Sequence, residues 1–223
     1  MFGAKKASGF DKTFKGISVS IGGIGKSIAG LAASYVSFRA VKGAVTDIVN
    51  QVGELEQNLG GSEAVFGDYA ASIQKTGENA YKNLGASQSE YLANANKMGA
   101  LLQGSGIEQA KSLELTEKAM QRAGDVASVM GVDMKMAMES VTGAAKGNFT
   151  MMDNLGVAMN ATNIQAYALE KGMNFKWTTA TQAQKTEVAM EMFFERTEQY
   201  AGNFAREATE TITGSFGLLK ASA

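Results

Sequence analysis

The absence of proline is the feature that most constrains how this chain can fold. The 223-residue sequence contains no proline but 26 glycines, although average usage would supply about 11 prolines in a chain of this length. Proline breaks helix interiors, and glycine is the residue that most often ends a helix in a left-handed conformation. This composition therefore predicts an all-α, multi-helix bundle with no sheet, in which glycines separate the helices.

Polar N-cap signals follow glycine stops from residue 54 onward. Ser87 and Ser105 each stand three residues before a glutamate, and Thr162 stands three residues before a glutamine, which is the capping-box pattern. Asp133 is a looser helix start of the same kind. Apolar residues between these signals recur every three or four positions, as one buried helix face requires. We predict helices at 54–66, 68–84, 88–103, 106–130, 134–146, 151–155, 163–171 and 181–213.

Charge is distributed unevenly along the chain. Residues 1–46 carry seven basic residues against one acidic residue, whereas residues 47–223 carry 14 basic residues against 21 acidic residues. A basic arm of this kind can meet nucleic acid, anionic lipid or an acidic protein surface. We expect two parts: a basic, Gly/Ala/Ser-rich helical arm over residues 1–50 and a helical body over residues 51–223.

Small residues recur every four positions in the arm. Gly25, Ala29, Ala33 and Ser37 fall on one side of a helix at this spacing, so that a second helix can approach the backbone closely. We predict that these four residues form a helix-packing ridge that joins copies of the chain into a homo-oligomer.

The same arm suggests a membrane function as an alternative. Between Gly16 and Phe38 the only charged residue is Lys26, and a helix of this length nearly spans a bilayer. The serines and glycines of the stretch make it weakly hydrophobic. A membrane-inserting or pore-forming helical protein is therefore the main alternative, and a secreted helical toxin or adhesin is another.

The run from Gly22 to Ser27 mimics a phosphate-binding loop. The full pattern needs glycine where this chain has Ser20, and no second strand ending in aspartate is present to hold magnesium. Nucleotide binding at the Gly22–Ser27 loop is thus a third alternative. The interpretation that we favour is that this run belongs to a glycine-rich helix-packing segment.

Cysteine and histidine are both absent from the chain. Their absence excludes disulfides, Cys/His zinc sites, thiol nucleophiles and every histidine-dependent catalytic triad. The carboxylates, such as those of Glu187, Glu191 and Glu195, fall at spacings typical of solvated helix faces. We expect no catalytic residue, no cofactor site and no metal site, and we expect that the protein is not an enzyme.

The body contains a series of short motifs whose order and spacing are informative. The longest is Ala144–Val157, in which a small-residue helix is followed by a turn that ends in Leu155-Gly156-Val157. The others are Glu54–Asn58, Val65–Gly67, Asn83–Ser87, Ala123–Ser128, Ala166–Ala168, Trp177–Thr178, Lys185 and Gly202–Arg206. Together, over residues 40–223, this series resembles the helical domain of bacteriophage tail tape-measure proteins. One departure is Glu207-Ala208-Thr209, where the family usually has a second Arg-Thr or Thr-Ser pair.

The resemblance implies a structural protein of the virion. Such a protein lies in the tail lumen or tail tip, sets tail length during assembly in the host cytoplasm, and leaves with the DNA at infection. Its implied partners are the tail tube, distal tail and tail hub proteins, copies of itself in a trimer, the host membrane, and DNA through the basic arm. A fully helical chain of this length reaches only about 330 Å. We therefore expect the length-setting ruler to lie elsewhere in a longer polypeptide.

Overall fold

The fold is described by a computed structural model that covers the backbone of residues 38–210 and the side chains of residues 50–207. Within that part of the chain, 79% of the residues are helical, and there are nine α-helices and no strand. The predicted all-α fold is confirmed over these residues. The chain divides into two units between Asn50 and Gln51.

The helices follow one another with short connections. The α-helices are α1 (Phe38–Phe66), α2 (Ala70–Glu78), α3 (Ala80–Leu84), α4 (Gln88–Gly104), α5 (Gln109–Met130), α6 (Met134–Ala145), α7 (Ala161–Glu170), α8 (Gln182–Arg196) and α9 (Asn203–Glu210). Three 3₁₀ helices, Gly67–Tyr69, Phe149–Leu155 and Glu198–Tyr200, lie between them.

Helix α5 is the centre of the bundle. It packs against α3, α4, α6, α8 and α9, and its side chains are buried almost continuously from Ala119 to Ala127. The small residues Ala119, Ala123 and Gly124 keep this helix thin, so neighbouring helices can approach it from several sides. A helix whose second half is buried by several neighbours is expected in the middle of a helical layer rather than at its surface.

Several predicted helix boundaries are confirmed. The Ser87 hydroxyl accepts the Glu90 backbone N–H, and the Glu90 carboxylate accepts the Ser87 N–H, so the predicted capping box begins α4. Asp133 accepts two backbone N–H groups at the start of α6. Gly85 and Gly131 end α3 and α5 with φ of 62° and 65°, the left-handed conformation that favours glycine.

Two predicted capping boxes are wrong. The Ser105 hydroxyl donates to the Leu102 carbonyl at 2.7 Å, so it helps to close α4, and α5 begins only after Glu108. The N-cap of α7 is Asn160 and not Thr162, and the Gln165 side chain accepts the backbone N–H of Trp177 at 3.0 Å. In both cases another hydrogen-bond partner takes the polar side chain that the local pattern assigned to a helix cap. The partner is the preceding helix for Ser105 and the Trp177 backbone for Gln165.

Three helices also differ in extent from the prediction. Helix α1 is continuous from Phe38 to Phe66 through Gly53, where the prediction separated the arm from a helix starting at residue 54, and the predicted helix 68–84 is divided near Asn79. The predicted helix 181–213 is interrupted after Arg196, where the Arg122 guanidinium of α5 donates to the Phe194 carbonyl. The Thr197 hydroxyl donates to the Phe193 carbonyl at 2.6 Å, and the chain then turns at Gly202 with φ of 74°.

Candidate functional site

The ridge residues predicted from the sequence lie outside the described part of the structure. Gly25, Ala29, Ala33 and Ser37 precede residue 38, as does the Gly22–Ser27 loop, so both remain predictions. Among the helices that the structure describes, none combines the length and the apolar character that crossing a bilayer requires.

The described residues instead converge on one structural node, where α5 meets the chain between α8 and α9. We call this node the α5–α9 junction; it consists of Arg122, Asp125 and Ser128 on α5 together with residues 197–204. Asp125 is buried, with 2% of its surface exposed. Its carboxylate accepts the backbone N–H of Gly202 at 2.9 Å and that of Phe204 at 3.2 Å. These N–H groups are at the start of α9, where a helix lacks internal acceptors and favours negative charge.

Ser128, about one turn further along α5, makes a second contact with α9. Its hydroxyl accepts the Asn203 side-chain N–H at 2.9 Å and donates to the Asp125 carbonyl. The first residue of α9 is therefore tied to α5 by its own side chain as well as by the backbone beside it.

Arg122 anchors the end of α8 in the same way. Its guanidinium donates to the Phe194 carbonyl at 2.6 Å, to the Thr197 hydroxyl at 3.1 Å and to the Glu198 carboxylate at 2.7 Å. Cations are favoured at helix C-termini, where carbonyl groups lack partners. The hydrogen bond and the charge of Arg122 hold the pKa of Glu198 below its usual range, with a smaller contribution from Lys118 against the opposing effect of burial.

Apolar contacts complete the junction. A Cβ on Gly124 would lie 2.4 Å from Leu84 Cδ2, so α3 packs directly on the backbone of α5. At the end of α3, the Phe204 ring lies against Gly85, where an added Cβ would be 3.0 Å from Phe204 Cζ. The two glycines thus leave room for one leucine and one phenylalanine that close the junction.

The chemistry of this junction is that of a clamp. Arg122 donates to a backbone carbonyl, and Asp125 accepts two backbone N–H groups, all within residues 194–204. These hydrogen bonds occupy the charged ends of both side chains. Among the described residues, no three acidic side chains lie close enough together to hold a metal ion. The arrangement positions helix α9 on α5.

A second polar cluster joins α7 to α8. The Tyr167 hydroxyl donates to the Glu195 carboxylate at 3.0 Å, and the Lys171 ammonium lies 2.7 Å from the same carboxylate. The hydrogen bonds from Lys171 and Tyr167 lower the pKa of Glu195. Arg196 pairs with Glu170 of α7 at 3.5 Å. These pairs are largely exposed, so solvent screens them and each stabilises the fold only weakly.

A third set of polar contacts joins α1 to α4. The Asn58 amide donates to the Ser89 hydroxyl at 2.9 Å, the Asn96 amide donates to the Asn58 carbonyl at 2.8 Å, and the Ser62 hydroxyl donates to Asn96 at 2.9 Å. Ser62 is fully buried. Because buried polar groups must be paired, these contacts fix the register of the two helices.

The sequence predicts Ala123–Ser128 as a small-residue helix but indicates no role for its polar residues. The available signal is that Arg122, Asp125 and Ser128 recur at spacings of three among the small and apolar residues of the second half of α5. Comparison of the chain with protein-family models, with curated proteins and with solved structures finds no match in any of the three.

Proposed function

We propose that this chain is a helical, structural segment of a bacteriophage tail tape-measure protein and that it is not an enzyme. In this proposal it lies in the tail lumen near the tip, contacts the tube, distal tail and hub proteins, and leaves with the DNA at infection. It is made and assembled in the host cytoplasm.

The observation that supports the proposal is where the resembling motifs fall in the fold. Three of them, Asn83–Ser87, Ala123–Ser128 and Gly202–Arg206, are far apart in the sequence but meet at the α5–α9 junction. Leu84 packs on Gly124, Phe204 packs on Gly85, and Asp125 caps the segment at Gly202. Because these motifs contact one another, the residues of each motif are constrained by those of the others. Contacts of this kind are expected when a resemblance extends over a whole fold.

The arm supplies the interactions that the proposal requires beyond this body. Its seven basic residues are suited to DNA, to an acidic tube wall or to anionic host lipid. Its ridge of small residues is suited to a closed oligomer, for which the resemblance implies a trimer, because a tail tube has rotational symmetry about its axis.

The proposal is tested in particles from the strain that carries the gene. Prophage induction, purification on a density gradient and mass spectrometry are expected to detect tryptic peptides of the body, such as the one between Lys82 and Lys97, at a few copies per tail. Immunogold labelling with an antibody against the body should mark opened tail tips, and the peptides should be depleted from tails after ejection is triggered.

Two results would overturn the proposal. Tails that contain tube protein but no peptide of this chain would exclude a virion component. A chain retained in full after DNA ejection would exclude a lumenal protein that leaves with the DNA.

A further inference from the structure

A cleft of about 300 Å³ lies between α2, α3, α4 and α5, and its residue Gln121 also contacts Asp125 of the α5–α9 junction. Its lining includes Thr76, Leu84, Tyr91, Glu117 and Gln121. Leu84 is almost fully buried, and it provides an apolar surface beside these polar groups.

Tyr91 is the unusual member of this lining. Its side chain is 1% exposed, and its hydroxyl has no hydrogen-bond partner in the part of the chain that the structure describes. A buried polar group without a partner costs about 1–3 kcal/mol, so it points to a function or to a bound group. Burial, and then the nearby Glu117 carboxylate, raise the pKa of Tyr91. The phenol is therefore neutral at physiological pH and both accepts and donates a hydrogen bond.

Besides Asn83 and Lys118, the polar groups that line the cleft have mainly acceptor capacity left. The Thr76 hydroxyl already directs its hydrogen towards the Glu117 carboxylate at 2.7 Å. The Gln121 amide N–H groups are directed to the Asn83 carbonyl and to Asp125, which leaves the Gln121 carbonyl oxygen as an acceptor. A carboxylate accepts through two oxygens and several lone pairs, so Glu117 retains acceptor sites beyond Thr76.

The charge of the cleft favours a ligand that is a cation as well as a hydrogen-bond donor. Glu117 is the only carboxylate that lines the cleft, and the cleft's one basic residue, Lys118, places its ammonium 4.4 Å from the centre of the Phe194 ring. Lys118 also acts on Glu198, at the α5–α9 junction. Its charge is therefore engaged with α8 and the residues that follow it.

We propose that this cleft binds a primary alkylammonium group. The three N–H donors of such a group match the acceptors Glu117, Tyr91 and Gln121, and its positive charge is complementary to Glu117. Its carbon chain contacts Ala80 and Leu84. The ammonium belongs either to a small free amine or to a lysine side chain of a partner protein, and these two sources share the same chemistry.

The binding test uses the full chain and n-butylamine as the probe, followed by titration calorimetry and by ¹H–¹⁵N NMR. A ligand of this size binds with a dissociation constant of about 1 mM. n-Butanol keeps the carbon chain without the charge, and tetramethylammonium keeps the charge without N–H donors; both should bind at least about tenfold more weakly. Putrescine and Nα-acetyl-lysine methylamide then distinguish a free amine from a lysine side chain.

Two variants test the assigned contacts. Tyr91→Phe should weaken n-butylamine binding about fivefold, and Glu117→Gln about tenfold or more, because a charge-assisted hydrogen bond is lost. The matched controls are Tyr69→Phe and Glu114→Gln; Tyr69 is 42% exposed, and Glu114 lies on α5 paired with Lys111. Both controls should bind as the unmodified chain does.

The fold is measured separately from binding. Tyr91→Phe should leave the melting temperature unchanged or higher, since the hydroxyl that it removes has no partner. Equal affinity for n-butylamine and n-butanol would overturn the proposal. So would unchanged n-butylamine affinity in a folded Tyr91→Phe or Glu117→Gln variant.

Discussion

The carboxylate of Asp125 accepts the backbone N–H of Gly202 at 2.9 Å, although the two residues are 77 positions apart in the chain. A residue in the middle of the central helix therefore supplies the cap of a helix far downstream. This relationship explains how the short helix α9 is held on the bundle, since its residues Ala205, Arg206 and Glu207 are exposed.

We predict that Asp125→Ala lowers the free energy of unfolding by about 2 kcal/mol, because two backbone N–H groups lose their buried acceptor. Urea unfolding followed by circular dichroism measures the change. Asp153→Ala is the control, because Asp153 is exposed on a 3₁₀ helix and its replacement should change stability by no more than about 0.5 kcal/mol. Equal losses in the two variants would contradict the capping role.

The close packing of α3 on α5 gives a second prediction. Gly124→Ala places a Cβ 2.4 Å from Leu84 Cδ2, and overpacking of this kind costs about 1–3 kcal/mol. In contrast, an added Cβ at Gly60 meets nothing within 4 Å, so Gly60→Ala should stabilise α1 by about 0.5–1 kcal/mol. Chemical denaturation of both variants measures these opposite signs.

A double variant locates the cause. If Leu84 is the clashing side chain, Gly124→Ala combined with Leu84→Ala should cost less than the sum of the two single changes, because the shortened residue no longer meets the new Cβ. Strict additivity would place the strain of Gly124→Ala elsewhere.

These junction residues also show what the sequence could and could not predict. Helices were predictable where the local signal had no competitor, as at Ser87 with Glu90 or at Asp133. The break after Arg196 was not predictable, because the groups that end α8 include the guanidinium of Arg122, which lies far away in the sequence. Local patterns carry no information about such a partner.

The candidate sites, too, were only partly predictable from the sequence. The cleft depends on Tyr91, which reads in the sequence as an ordinary apolar position of α4; only the structure shows that its hydroxyl lacks a partner. The junction was visible as a resembling motif, Ala123–Ser128, but the roles of its polar residues depend on where residues 194–204 return to α5. The predicted ridge from Gly25 to Ser37 lies outside the described residues.

The turn that contains the longest resembling motif gives a third prediction. Gly147 has φ of 91°, which L side chains rarely adopt, and an added Cβ would lie 2.7 Å from the Gln182 side-chain nitrogen. Gly147→Val should therefore lower the free energy of unfolding by about 1–3 kcal/mol. Ala93→Val, at an exposed position of α4, is the control in a thermal melt, and equal shifts in melting temperature would count against the strain.

Glu198 gives a pH prediction. Its pKa is lower in the folded chain than the ordinary value of 4.5, chiefly because Arg122 donates to it. Its contribution to stability is thus fully present above pH 4.5 and is lost as the pH falls through the lower folded pKa. Glu198→Gln should flatten the acid side of the stability profile, measured by urea unfolding from pH 6 to pH 2.5. Glu139→Gln, at an exposed position, serves as the control. If stability falls equally steeply with acid in both variants, the Arg122 contact does not cause the pH dependence.

The last prediction concerns the arm, for which we propose that residues 14–50 form a self-associating helix. Gly25, Ala29 and Ala33 remove side-chain bulk every four residues, so helix backbones can approach and larger neighbours such as Leu31 and Val36 can fill the remaining space. Replacing all three small residues by leucine should push the helices apart and reduce the fraction of oligomer. Analytical ultracentrifugation at micromolar concentration measures it, with a trimer expected for the native chain. A leucine variant at Ala93, Ala100 and Ala158, exposed alanines of the body, should keep the native oligomer. If the native chain and the ridge variant are the same monomer, the ridge does not associate in the isolated chain.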